Sequence, residues 1–131
     1  MCGYGSLLVT ADGGETFKTI SNGNHYYTGI CADVNGKFYM CEMNGLVFTS
    51  TDFGQTWYKI QDEDGQLFSI AVSPSGNIVT AGPNGYIAFS EDGGEHWQNE
   101  YVQYDILRVA WINDSEYIAV GKKGAVYKLV K

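Results

Sequence analysis

Basic residues are scarce in this chain of 131 residues: eight Lys and Arg stand against fifteen Asp and Glu, for a net charge of −7. A sequence-independent grip on nucleic acid or on anionic lipid needs clustered cations, so neither partner is expected. Long apolar runs are missing as well. No stretch reaches the ~20 residues of a membrane-spanning helix, so membrane insertion is not expected. The start, Met1-Cys2-Gly3-Tyr4-Gly5, has neither the basic residues nor the long apolar stretch of a secretory signal. A cytoplasmic or intracellular site is the default expectation. Three cysteines, Cys2, Cys31 and Cys41, are an odd number without a spacing pattern, which does not make a disulfide framework. His25 and His96 are the two histidines, too few for the clustered ligands of a usual metal site. No metal and no cofactor are expected. No segment shows sustained helical periodicity.

Glycine and tyrosine are plentiful, at seventeen and ten residues, against two prolines. The order within the chain is more informative. Thr10-Ala11-Asp12-Gly13-Gly14-Glu15-Thr16-Phe17, Ser50-Thr51-Asp52-Phe53-Gly54-Gln55-Thr56-Trp57 and Ser90-Glu91-Asp92-Gly93-Gly94-Glu95-His96-Trp97 are three versions of one octet, with a period of 40 residues. A fixed period of this size indicates a stacked or radial repeat architecture. Short alternating runs surround each octet. Strands of types A, B, C and D follow one another, separated by turns rich in Gly, Asn, Asp and Ser, as in an all-β protein. Val47–Ser50 is a C strand, Thr56–Ile60 a D strand, Phe68–Val72 an A strand and Ile78–Ala81 a B strand. Strand A, the least polar, belongs innermost, and strand D, with Lys18 and Lys59, at the outer edge. A two-residue turn at Asn35-Gly36 sets Cys31 opposite Met40 and puts Cys41 on the other sheet face; a bulge in that turn reverses the parity.

The octets resemble the Asp-box, or bacterial neuraminidase repeat (BNR), whose pattern is Ser-x-Asp-x-Gly-x-Thr-Trp. The Gly-x-x-x-x-Ser-x-Asp-Gly-Gly-x-x-Trp form of the third repeat looks like the propeller family of photosystem II assembly factors. The resemblance implies an all-β fold of β-propeller blades, each of four antiparallel strands, in one repeat domain over 1–131. The blade units run approximately 1–20 (partial), 21–60, 61–100 and 101–131 (partial). It also implies that the box residues Asp12, Gly14, Phe17, Asp52, Gly54, Trp57, Asp92, Gly94 and Trp97 are structural and peripheral. An Asp side chain can accept hydrogen bonds from the turn that it begins, glycine supplies the positive φ, and the aromatic covers the hairpin. Departures are Phe17 for Trp, His96 for Thr, and Phe53 for a small residue.

Thirteen strands can be read in the sequence, about three blades, and propellers close with roughly four to eight. Closure into a ring by oligomerisation is therefore expected, a dimer giving about six blades, or completion by another chain. Enzymes with this box that cleave sialic acid hold the substrate carboxylate with three arginines. Arg108 is the one arginine here, so sialidase chemistry is not expected and no catalytic residue is assigned. A binding face remains, formed by connections between D and A strands and their neighbours: His25, Tyr26, Tyr27, Tyr101, Gln103, Tyr104, Arg108, Lys122 and Lys123. Tyr and Arg favour protein contacts, and aromatic rings stack on sugars. The tyrosines read equally as covers for the A strands or as filling for a subunit contact. The expectation is a non-catalytic scaffold for protein interaction or assembly. A carbohydrate-binding or glycoside-hydrolysing propeller is the alternative.

Overall fold

The computed structural model describes residues 2–20 and 25–131. Met1 and residues 21–24, where the sequence puts the start of the 21–60 unit, lie outside the described residues. Fourteen strands among them form four antiparallel sheets. The first holds β1 (Cys2–Gly3), β2 (Ser6–Val9) and β3 (Lys18–Ile20). The second runs in order β4 (Tyr27–Ala32), β5 (Phe38–Glu42), β6 (Leu46–Ser50) and β7 (Tyr58–Asp62). The third holds β8 (Ser69–Val72), β9 (Ile78–Ala81), β10 (Tyr86–Ser90) and β11 (Gln98–Tyr101). The fourth holds β12 (Ile106–Trp111), β13 (Glu116–Gly121) and β14 (Val126–Val130). Strands β4, β8 and β12 are the A strands, and β8 packs against both of the others. These are blades of a β-propeller, arranged as part of a ring.

The first sheet has one more strand than the sequence reading assigns. Cys2 pairs with Leu7 and Gly3 with Ser6 across a turn in which Gly5 takes φ 64°. A two-residue strand carries no alternation, so periodicity could not find it. The turn after β4 also differs from a two-residue hairpin. Asp33 Oδ1 accepts from the N–H groups of Asn35 and Lys37 at 2.8 and 3.0 Å, and Ala32 pairs with Phe38. The longer loop sets Cys31 opposite Tyr39 and Gly29 opposite Cys41. Cys31 and Cys41 therefore share a sheet face, as the bulged alternative requires. Both are free thiols, and burial pushes each up to about 12.

Three apolar layers lie between consecutive sheets, and alternation assigns residues to them. Leu7, Tyr27 and Met40 fill the first layer. Tyr39, Cys41, Val47, Leu67, Ile70 and Ile78 fill the second. Val79, Ala81, Ile87, Ile106, Val109, Tyr117 and Ala119 fill the third. Tyr39 and Met40 thus feed opposite layers, as do Ile78 and Val79. Strand β9 is buried on both faces over its whole length. The repeat also tethers neighbours through polar atoms: Thr28 Oγ1 donates to the Leu67 carbonyl at 2.8 Å, and Val109 N to Ser69 Oγ at 3.2 Å.

Each Asp-box closes its turn in the same way. Asp52 Oδ1 accepts from Ser50 Oγ at 2.8 Å, Gln55 N at 3.1 Å and Thr56 N at 2.8 Å, while Oδ2 accepts from Thr56 Oγ1. Asp12 does the same with Thr10 and Thr16, and Asp92 with Ser90, Glu95 and His96. His96 replaces the threonine hydroxyl with Nδ1, 2.6 Å from Asp92 Oδ2. Trp57 and Trp97 donate from Nε1 to the carbonyls of Gly54 and Gly94 at 3.0 Å, a bond that Phe17 cannot make. Phe53 takes φ 58° where the other boxes have Gly13 and Gly93, a costly conformation for a bulky residue.

Hydrogen bonds to the ionised form hold all three carboxyls below the ordinary range, Asp52 at about 2. In each case a donor from residue 16, 56 or 96 is the leading cause. A depressed folded pKa gives stability that is present above the unfolded value, about 4, and lost as pH falls through the folded one. The melting temperature should therefore drop between about pH 4 and pH 2. Asp52→Asn should melt lower at neutral pH and lose less on acidification; an unchanged acid limb in thermal melts would refute this account. In the core, Ile78→Ala should lower stability by roughly 2–5 kcal/mol in urea unfolding. Val34→Ala, in an exposed turn, should change it by no more than about 0.5 kcal/mol.

Candidate binding face

The B-to-C turns and the D-to-A connections meet on one face, at the strand ends opposite the Asp-boxes. Backbone bonds stitch them together. Gly5 N donates to the His25 carbonyl at 2.7 Å, Met43 N to Tyr26 at 2.8 Å, Glu63 N to Gly45 at 3.1 Å, Val102 N to Gly85 at 2.9 Å and Lys122 N to Asp105 at 3.0 Å. Main chains approach so closely that a Cβ on Gly82 would sit 2.0 Å from the Gln66 carbonyl oxygen, and one on Gly121 2.0 Å from that of Asp105. The bonding leaves side chains, rather than bare backbone, as the accessible chemistry of this face.

The residues expected on a binding face divide between it and other places. Tyr26 is on it and exposed, its ring 4.2 Å from that of Tyr4. Tyr104 lies under Lys123, whose Nζ is 5.3 Å from the ring centre. Lys122 Nζ is 2.7 Å from Asp105 Oδ2, and this contact leads in holding Asp105 below the usual carboxylate range. Gln103 is exposed in the same connection. Tyr101 closes strand β11 and meets Tyr86 edge-on at 5.6 Å. Arg108 lies instead on the innermost strand, β12. Its Nη1 donates to the carbonyls of Leu107 at 2.6 Å and Phe68 at 3.5 Å, beside a hollow of about 260 Å³ that Thr28 also lines. Tyr27 turns inward and is buried with Leu7 and Met40. Its ring stacks on His25 at 5.8 Å.

His25 reaches a partner that sequence reading missed. Its Nδ1 lies 2.8 Å from Oε1 and 2.9 Å from Oε2 of Glu42, a carboxylate that is 1% exposed. Glu42 takes the repeat position of Gly82 and Gly121. Aligning those three residues would have singled out a buried acid where the other repeats have no side chain. Buried carboxylates need a partner, and His25 supplies it. His25 therefore joins the wall between the first and second sheets. Tyr4, in the turn between β1 and β2, lies outside both the octets and the alternating runs, so neither pattern points to it. The acidic run Asp62-Glu63-Asp64 borders this face, with Asp62 held by Lys59 at 2.9 Å. Asp92, Glu95 and His96 bring ligand atoms within 4.8 Å of one another at the opposite end, but all three are exposed and Asp92 is already bonded to His96.

Comparison with known proteins agrees with the fold. The BNR/Asp-box repeat family matches residues 48–59. No curated protein matches in sequence. Among solved structures, YCF48 bound to a D1 peptide is 20% identical with a TM-score of 0.75, covering 97% of this chain and 46% of that one. YCF48 from Cyanidioschyzon merolae is 20% identical with a TM-score of 0.70, covering 79% of this chain and 34% of that one. The chain thus spans less than half the length of the structures that it matches. It carries the BNR/Asp-box repeat and shares the β-propeller fold of YCF48.

Proposed function

We propose that this chain is a non-catalytic propeller scaffold whose loop face holds a polypeptide partner during an assembly step. The exposed and half-buried aromatic and charged groups gathered there carry the reading: Tyr4 with Tyr26, Tyr104 with Lys123, Tyr101, and the Lys122–Asp105 pair. Tyrosine offers large contact area at little cost in side-chain freedom. Likeness in fold to YCF48, one structure of which holds a D1 peptide, supports a peptide as the partner class. The box aspartates serve their turns and take no part in binding.

The same reading includes association of chains. The outer flank of the fourth sheet leaves Val120, Val126 and Val130 exposed, and β14 is an edge strand. In a propeller this flank packs on the next blade. A second copy or a different chain would cover it, and two copies bring the blade number into the closing range of about four to eight.

Binding to an immobilised peptide array should select sequences whose capture falls about tenfold or more in Tyr26→Ala or Tyr104→Ala and is unchanged in Asp52→Asn. Glycan arrays should stay blank. Native mass spectrometry should show a dimer at micromolar concentration. Peptide capture indifferent to both tyrosines would sink the face assignment, and a stable monomer would sink the ring of copies.

A further inference from the structure

One repeat junction on the loop face is filled by this chain's own lysines, and the equivalent junction before it is not. In the junction between the third and fourth sheets, connection 102–105 meets turn 121–124. There Lys122 pairs with Asp105 at 2.7 Å, and Lys123 sits over the Tyr104 ring at 5.3 Å. One repeat earlier, connection 63–66 meets turn 82–85, and Pro83 and Asn84 hold the places of Lys122 and Lys123. The chemistry that attracts a cation is present there. A notch of about 260 Å³ is lined by Glu63, Asp64, Gln66, Asn84, Tyr86 and Tyr101, with Gly65 and Pro83 completing the wall and no cationic side chain among them. The nearest lysine of the preceding strand, Lys59, is engaged by Asp62.

A second observation comes from Tyr86. Its hydroxyl oxygen is sealed from solvent beside the Glu63 carboxylate and the Asn99 side chain. Burial, and then the neighbouring Glu63 carboxylate, raise the phenol's pKa, so it stays neutral beside that acid. The Tyr86 and Tyr101 rings, paired across β10 and β11 and 5.6 Å apart, form the aromatic wall. The matching cross-strand pair in the second sheet is Leu46 with Asp62, so this wall is particular to the third.

We propose that this notch binds the cationic head of a lysine or arginine side chain from a polypeptide lying on the loop face, in the way that Lys122 and Lys123 fill the junction one repeat later. The proposal rests on the reading of this face as peptide-binding, and names the side chain that the face anchors. Carboxylates of Asp64 and of Glu63, whose Oε1 also accepts from Gln61 Nε2, supply the charge, and the tyrosine rings supply cation–π contact. The walls exclude water from part of the cation, which strengthens both terms.

The test uses Nα-acetyl-lysine amide and Nα-acetyl-arginine amide as probes, with neutral Nα-acetyl-norleucine amide as control, followed by NMR shifts of amides in 63–66 and 84–86. Both basic probes should saturate, and norleucine should not. Tyr101→Ala should weaken them by about two- to fivefold. Asn84→Lys should abolish binding by placing the chain's own ammonium in the notch. Its backbone can accept lysine, because Asn84 (φ 57°) and Lys123 (φ 59°) share one conformation. Equal binding of basic and neutral probes, or basic binding unchanged in a folded Asn84→Lys protein, overturns the proposal. If peptide capture on the face survives both substitutions, the notch is wrong and the face stands. If probes bind as expected while no polypeptide is captured, the face reading is the one that fails.

Discussion

The fold depends on burial of the apolar faces that consecutive sheets turn to one another. A single four-stranded sheet of this size has two apolar sides and no interior, so it is stable only when neighbours cover it. The middle strands show how strictly this holds. Ile78 and Thr80 face one way, Val79 and Ala81 the other, and all four are sealed from water. Hydrophobic burial is therefore shared between repeats, and the chain gains stability by stacking sheets rather than by enlarging any one of them.

Two polar devices adapt this stack to its ends. On one side the Asp-boxes turn the chain with charged hydrogen bonds that are local to eight residues. They place few demands on the rest of the molecule, which is why His96 can replace a threonine and still engage the same carboxylate. On the other side the connections are long-range. Backbone groups of one repeat bond to those of the next, and Gly82 and Gly121 are there because any side chain would collide with a carbonyl oxygen. Glu42 breaks that pattern, and the break recruits His25 into the wall between two sheets. Neighbouring repeats thus differ in charge on the connection side, where turn 82–85 and turn 121–124 have the same shape but different charges.

Much of the architecture was legible because it is periodic. Aspartates every 40 residues gave the repeat, and alternation within each unit gave the strands and most buried residues. The added strand Cys2–Gly3 was not legible, since two residues carry no pattern. Neither was the side on which Cys41 lies, since the parity of a hairpin depends on the hydrogen bonding of its loop, here the acceptance of two N–H groups by Asp33. Candidate site residues were legible only as types. Tyr26 and Tyr27 look equivalent in the chain, yet one is exposed against Tyr4 and the other packs with Leu7 and Met40.

Residues close along the chain set the blade unit, its four-strand order and its box chemistry, because these arise from near neighbours and from a period of two. Which charges find a partner within the chain depends on how the repeats pack. Lys122 and Lys123 are consumed by Asp105 and Tyr104, Glu42 by His25 and Asp62 by Lys59, whereas the notch at Glu63, Asp64, Tyr86 and Tyr101 has no cation of its own. Such pairings depend on the close approach of segments roughly a repeat apart, and composition holds no record of which side chain comes to face which.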